Sequence, residues 1–186
     1  DGPVLDILYN RRPIQIRGIV RGDLREATDA WYDLGGGRYV PATYVDPLIL
    51  RTPPQTFSGR WVDVNLTQFY AVTYEGNQPK YVAIVAAGRG GRTPIGVFNI
   101  QYQVRSEIMD SATVGIPKGD PEYYYLENVE YTQYFLEGGY AIHGNYWTPE
   151  DRFGNFTSNG CVGLMNEDAA VFWDWLNPGD VVSIHF

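Results

Sequence analysis

The chain has 186 residues, 44% of them hydrophobic and 15% aromatic, with 21 glycines, 12 prolines and a formal net charge of −8. A chain of this length forms one ordinary domain, or a small module followed by a medium one. The acidic balance and the dispersed Lys and Arg exclude a nucleic-acid partner, because neutralising phosphates requires clustered basic side chains.

Frequent Gly, Pro and Tyr suit a mainly β protein with many tight turns. No apolar run approaches the ~20 residues needed to span a bilayer. No basic stretch followed by an apolar one opens the sequence, so for an exported protein the signal was removed or lies outside this sequence. The single cysteine, Cys161, excludes a disulfide within the chain and a Cys-based zinc cluster.

In chain order, residues 1–50 read as a small β module. Residues 14–21 alternate and lead into a polar stretch over 22–29. Trp31-Tyr32-Asp33-Leu34, the turn Gly35-Gly36-Gly37 and residues 38–45 then read as a β-hairpin. This aromatic pattern is similar to the closing half of bacterial SH3-like modules, which in that resemblance bind cell-wall peptides. A structural cap on the following domain explains it equally well. Residues 51–57, with Pro53 and Pro54, read as a linker to a main domain over 58–186.

There, residues 61–66 and 69–74 alternate, 75–79 turn, and 81–86 form a nearly continuous apolar run. The three segments predict a meander, with 81–86 as a central strand buried on both sides. The loop 88–96 is rich in Gly and Arg. It lacks the closing Gly-Lys-Ser/Thr of a phosphate-binding loop, and no helix follows it. Residues 98–104 predict a strand, 106–123 an irregular segment, and 123–126 and 131–136 two aromatic strands. The run 140–143 predicts a buried strand ending at His143. Asn166 is placed to cap a helix over 167–176, whose Ala169, Phe172, Trp173 and Leu176 recur at helical spacing. Residues 181–186 form a last strand, on which His185 reads as an exposed residue.

Two reactive groups stand out. Cys161 lies among small residues in Ser158-Asn159-Gly160-Cys161-Val162-Gly163, and His143 precedes it by eighteen residues. An imidazole that takes the thiol proton makes cysteine an acyl-transfer nucleophile. The backbone N–H groups of Gly160 and Cys161 are candidates for an oxyanion hole, worth ~3 kcal/mol per well-placed donor. A lone cysteine acting as a small buried hydrophobe is the plain alternative. A papain-like peptidase is disfavoured, since its cysteine precedes its histidine.

The motif His143-Gly144, an aromatic segment, then Ser158-Asn159-Gly160-Cys161 with Leu164 resembles the signature of the L,D-transpeptidase (YkuD-type) catalytic domain. The resemblance extends over 58–186 through Arg60-Trp61-Val62-Asp63-Val64-Asn65-Leu66, Ala87-Gly88-Arg89 and Thr93-Pro94-Ile95-Gly96-Val97-Phe98. It implies a β-sandwich with one short helix near the C-terminus. It also implies a thioester mechanism on peptidoglycan stem peptides, with 3→3 cross-links as product, or hydrolysis if water is the acceptor. No cofactor or metal is implied, carbapenem-type compounds are implied ligands, and the location is extracytoplasmic. In the family a carbonyl after the histidine, here that of Gly144, orients the imidazole. Tyr125, eighteen residues before His143, matches an active-site tyrosine of some members, and Ser158 and Asn159 flank the substrate side. Two positions depart from the pattern. Asn159 stands where His is common, and Gly163 stands where Arg or Asn is common. Both departures also suit a non-catalytic cell-wall-binding protein on the same fold.

Overall fold

The computed structural model describes residues 3–8 and 14–186. Two compact units divide between Thr52 and Pro53.

The first unit carries an antiparallel sheet of β1 (Gly18–Arg25), β2 (Thr28–Gly35) and β3 (Arg38–Pro41), in that order. The strand expected over 14–21 is shifted towards the C-terminus and absorbs most of the polar stretch. Gly22 explains why: a Cβ there would lie 2.8 Å from the Trp31 ring, whose Nε1–H donates to Asp23 O at 2.9 Å. Both hairpin turns use positive φ, at Glu26-Ala27 (43° and 64°) and at Gly36-Gly37 (63° and 75°). Two-residue turns with that sign match the right-handed twist of the flanking strands.

The second unit runs β4 (Arg60–Asn65), β5 (Tyr70–Glu75), β6 (Gln78–Ile84), β7 (Ala87–Gly88), β8 (Gly96–Asn99), β9 (Tyr102–Asp110), β10 (Tyr125–Leu136), β11 (Tyr140–Gly144), β12 (Phe156–Ser158), β13 (Val162–Leu164), α1 (Asn166–Trp175) and β14 (Val181–His185). A five-stranded sheet has the order β6-β5-β4-β14-β8, and a four-stranded sheet the order β13-β11-β10-β9. Val62, Val64 and Ile184 from the first sheet meet Phe135, Ile142, Val162 and Leu164 from the second, and Ala169, Phe172 and Leu176 add the helix. This is the expected mainly β sandwich with a single α-helix.

Several sequence expectations are corrected here. The apolar run 81–86 belongs to an edge strand, not a central one. Its apolar tail is buried because Ala86 bridges to Gly163, with N–H···O distances of 2.9 and 2.8 Å in the two directions. The strand expected over 98–104 breaks at Ile100, which is buried in the core as the chain passes from one sheet to the other. The irregular segment begins only after Asp110, because β9 pairs along β10. The two aromatic strands form one, β10, with a register shift between Leu126 and Val129 where Asn128 has φ 55°. Residues 53–57 join the second unit rather than link to it: Phe57 meets Trp61 edge-on at 5.2 Å, and Trp61 stacks on Tyr74 at 4.5 Å.

At the helix, Met165 occupies the N-cap position. Asn166 is already helical and donates from Nδ2 to Glu130 Oε2 at 3.2 Å instead of capping. His185 is half-buried, not exposed. Its Nε2 lies 3.1 and 3.2 Å from the two carboxylate oxygens of buried Asp63. Burial raises the Asp63 carboxyl above its ordinary range, and His185 opposes that shift.

Candidate active site

β11 and β13 run parallel, pairing Ile142 with Val162, His143 with Gly163 and Gly144 with Leu164. Alternation sends Ile142, Val162 and Leu164 into the core and Ala141 and His143 to the opposite face. One step back in the same register, Cys161 stands level with Ala141 on that opposite face. The thiol and the imidazole are therefore diagonal neighbours on adjacent strands.

His143 is buried, with Nδ1 2.9 Å from Gly144 O. A carbonyl only accepts, so Nδ1 carries the proton and Nε2 is the basic nitrogen. The Trp147 ring stacks on the imidazole at 5.6 Å and 24°. Burial holds the histidine below its ordinary pKa of 6.5, against the opposing bond to Gly144. Gly144 must be glycine, since a Cβ would lie 2.5 Å from Asn166 Oδ1 and 3.1 Å from Glu130 O.

Cys161 is half-buried, and its thiol donates to Gly139 O at 3.3 Å. Burial pushes its pKa up to about 11; an N–H from Ala141 works against that rise, and the Glu107 carboxylate adds to it. The resting group is a thiol, not a thiolate.

The loop before the cysteine is held from both sides. Ser158 Oγ donates to Cys161 O at 2.7 Å and accepts from Gly160 N–H at 3.2 Å. Ser158 thus braces the turn, and Gly160 N–H, an oxyanion candidate in the sequence, is engaged within the loop. Thr93 Oγ1, fully buried, donates to Gly160 O at 2.9 Å and accepts from Gly88 N–H at 2.7 Å. Thr93→Val keeps the volume and orphans both backbone groups. We expect it to cost about 2–3 kcal/mol, read as a lowered urea midpoint at unchanged slope.

Asn159 bridges two walls, accepting from Arg89 Nη2 through Oδ1 and donating from Nδ2 to Glu122 O at 3.4 Å. Arg92 and Glu122 close the same corner with an ion pair at 2.8 Å. The space beside Gly163 is filled by the Asn145 side chain, since a Cβ on Gly163 would lie 2.6 Å from Asn145 Nδ2. That neighbour explains why position 163 carries no side chain.

Tyr125 is 48% exposed. Its neighbour Tyr124, like Tyr134, lies within electrostatic reach of the sulfur: its hydroxyl is raised by burial and then by the Cys161 charge. Counting alternation back along β10 misses this, because the register shift lies between. A cavity of about 360 Å³, lined by Trp147, Thr148, Pro149, Asp151, Arg152 and Thr157, opens on the Trp147 side. Nothing in the sequence marked Tyr124, Trp147 or Asn145, and Thr93 stood only within the family motif with no role assigned; the placement of all four depends on strands far apart in the chain.

The family model for the L,D-transpeptidase catalytic domain, YkuD, matches residues 59–184. The chain belongs to this family. Probable L,D-transpeptidase 3 of Mycobacterium tuberculosis is 35% identical over 92 residues, covering 50% of this chain and 34% of that protein. L,D-transpeptidase 1 of the same organism is 30% identical over 92 residues, covering 50% and 36%. The matched part thus spans about a third of the curated relatives' length. A solved structure of L,D-transpeptidase 3 from Mycobacterium tuberculosis in complex with a faropenem-derived adduct is 26% identical. It has a TM-score of 0.61 and covers 69% of this chain and 60% of that one.

Proposed function

We propose that this protein is a cysteine acyltransferase acting on peptidoglycan stem peptides, an L,D-transpeptidase that forms 3→3 cross-links, with hydrolysis as a side reaction. One observation carries the reading. The imidazole is locked by Gly144 O with its basic nitrogen free, on the same sheet face as the thiol one strand away.

In this mechanism His143 Nε2 takes the Cys161 proton as sulfur attacks the carbonyl of the third stem residue. The Cys161 N–H and a second donor, the Tyr124 or Tyr125 hydroxyl, face the developing oxyanion. The imidazolium then protonates the departing D-Ala nitrogen, leaving a thioester. Arg89, bound to Asn159, sets a positive charge beside the position where the family commonly carries His. The aromatic sheet of the first unit is assigned as a cell-wall contact of SH3-like type, and the location as extracytoplasmic.

A weakly active binding protein on the same fold is the second reading, favoured by the high thiol pKa. Incubation with a stem tetrapeptide separates the two. Release of D-Ala with a dimer mass supports the enzyme, and binding without release supports the alternative.

The pH profile is a further prediction. His143 must be neutral to take a proton, and burial lowers its pKa, so the acid limb lies below 6.5. Loss of the thiol proton to solvent begins only near 11. We expect kcat/KM to be level across the neutral range, with no alkaline inflection at the ordinary thiol value of 9.0. A steady climb from neutral pH towards about 11 would mean that bulk thiolate, rather than the His143-assisted thiol, is the nucleophile.

A further inference from the structure

A half-buried carboxylate shares the sheet face of the thiol, and the acylation chemistry has no use for it. Glu107, on β9, accepts a hydrogen bond from Tyr134 Oη at 3.0 Å, and Tyr134 stacks on Tyr102 at 4.6 Å and 24°. Tyr134 pairs with Tyr102 on one side and with Ala141 on the other, and Ala141 stands level with Cys161. The row Tyr102, Tyr134, Ala141, Cys161 thus crosses four strands. Two strand spacings, about 10 Å, separate Tyr134 from Cys161. Between them lies the buried methyl of Ala141, and Glu107, which pairs with Val129 further along β9, reaches this row through the Tyr134 hydroxyl.

Among the described residues no Lys, Arg or His pairs with Glu107, and the nearby Arg105 is taken by Glu130 at 3.0 Å and by the Tyr131 ring at 3.9 Å. The negative charge of Glu107 also disfavours the Cys161 thiolate, so it hinders the first half of the reaction. An unpaired carboxylate that is oriented by a tyrosine and opposes acylation fits the second half, in which the incoming group is a cation.

Resting on the acyl-transfer reading above, we propose that Glu107, oriented by Tyr134, binds the protonated primary amine of the acyl acceptor and thereby favours amide formation over hydrolysis. The bound ammonium gives one proton to water, and its nitrogen lone pair attacks the thioester carbonyl, forming the C–N bond. A second nitrogen proton passes to His143 Nε2. The C–S bond breaks, and the sulfur takes that proton from the imidazolium. Glu107 exchanges no proton in these steps and acts as a positioning residue.

The experiment compares wild type, Glu107→Gln, Glu107→Asp and Tyr134→Phe. The donor is a stem tetrapeptide with its side-chain amine acetylated. The acceptors are a free-amine stem tripeptide and hydroxylamine, which is uncharged at neutral pH. One charge-assisted contact predicts that Glu107→Gln lowers the ratio of tripeptide transfer to hydrolysis about tenfold. Transfer to hydroxylamine should hold, and alkylation of Cys161 by iodoacetamide should stay level or quicken. Glu107→Asp should recover part of the ratio, and Tyr134→Phe should fall between wild type and Glu107→Gln. An unchanged ratio in both Glu107→Gln and Tyr134→Phe overturns the assignment, as does an equal loss with both acceptors. If wild type releases no D-Ala from the donor, the acyl-transfer reading itself fails. That result is distinct from a wild type that turns over with a Glu107-independent ratio.

Discussion

A carbapenem is expected to form a covalent adduct with the wild-type protein and none with Cys161→Ala, a change that should also lower D-Ala release by at least ~10⁴-fold. The chain contains no other cysteine, so no second thiol can substitute. The fold should tolerate the change. The side chain is small, and the hydrogen bond lost is the 3.3 Å contact to Gly139 O, worth about 1 kcal/mol. Intact mass after incubation gives the answer directly. An adduct on wild type alone identifies an acylatable thiol in a site that accepts a stem-peptide mimic. An adduct on both proteins would place the reactive group elsewhere, and no adduct on a folded wild type would leave the binding-protein reading standing.

His143→Gln is expected to have the next largest effect, slowing carbapenem acylation ~10³-fold at neutral pH. Glutamine can keep a bond to Gly144 O, but it offers no basic nitrogen to accept the thiol proton. The pH dependence should then change form. In the proposed mechanism wild type should be level across the neutral range, because His143 takes the proton within the complex. The variant must use the thiolate already present in bulk equilibrium, about one part in 10⁴ at pH 7 for a thiol at about 11. Its rate should therefore climb tenfold per pH unit towards that value. Stopped-flow acylation over a pH series distinguishes this from a folding defect, which would lower the level without tilting the profile. A variant with a flat profile and near-wild-type rate would remove His143 from the mechanism.

The fold was legible in the sequence where the pattern is local. The meander over β4–β6, the turn glycines and the helix with Ala169, Phe172 and Leu176 on its buried face follow from alternation, turn chemistry and helical spacing. The failures lie where a partner distant in the chain overrides that pattern. The run 81–86 looked central, yet the five-stranded sheet ends at β6, and its apolar tail is covered by Gly163 from the cysteine strand. Asn166 looked like a cap but is drawn to Glu130, and His185 looked exposed until Asp63 supplied a buried partner.

At the site, the sequence by itself singled out the groups proposed to carry the chemistry: one thiol, one histidine ending a buried strand, and the carbonyl of Gly144 to orient it. These are properties of residue type and immediate neighbours, and a short motif is enough to set them. Only the tertiary structure decided the surroundings of those groups. It engaged Gly160 N–H with Ser158, brought Tyr124 rather than Tyr125 within electrostatic reach of the sulfur, filled the space at Gly163 with Asn145, and brought Glu107 from fifty-four residues away within electrostatic reach of Cys161. The physical reason is that desolvation and charge are fixed by what packs nearby in space. Strand pairing across four β-strands sets that packing, and no local stretch of sequence encodes it.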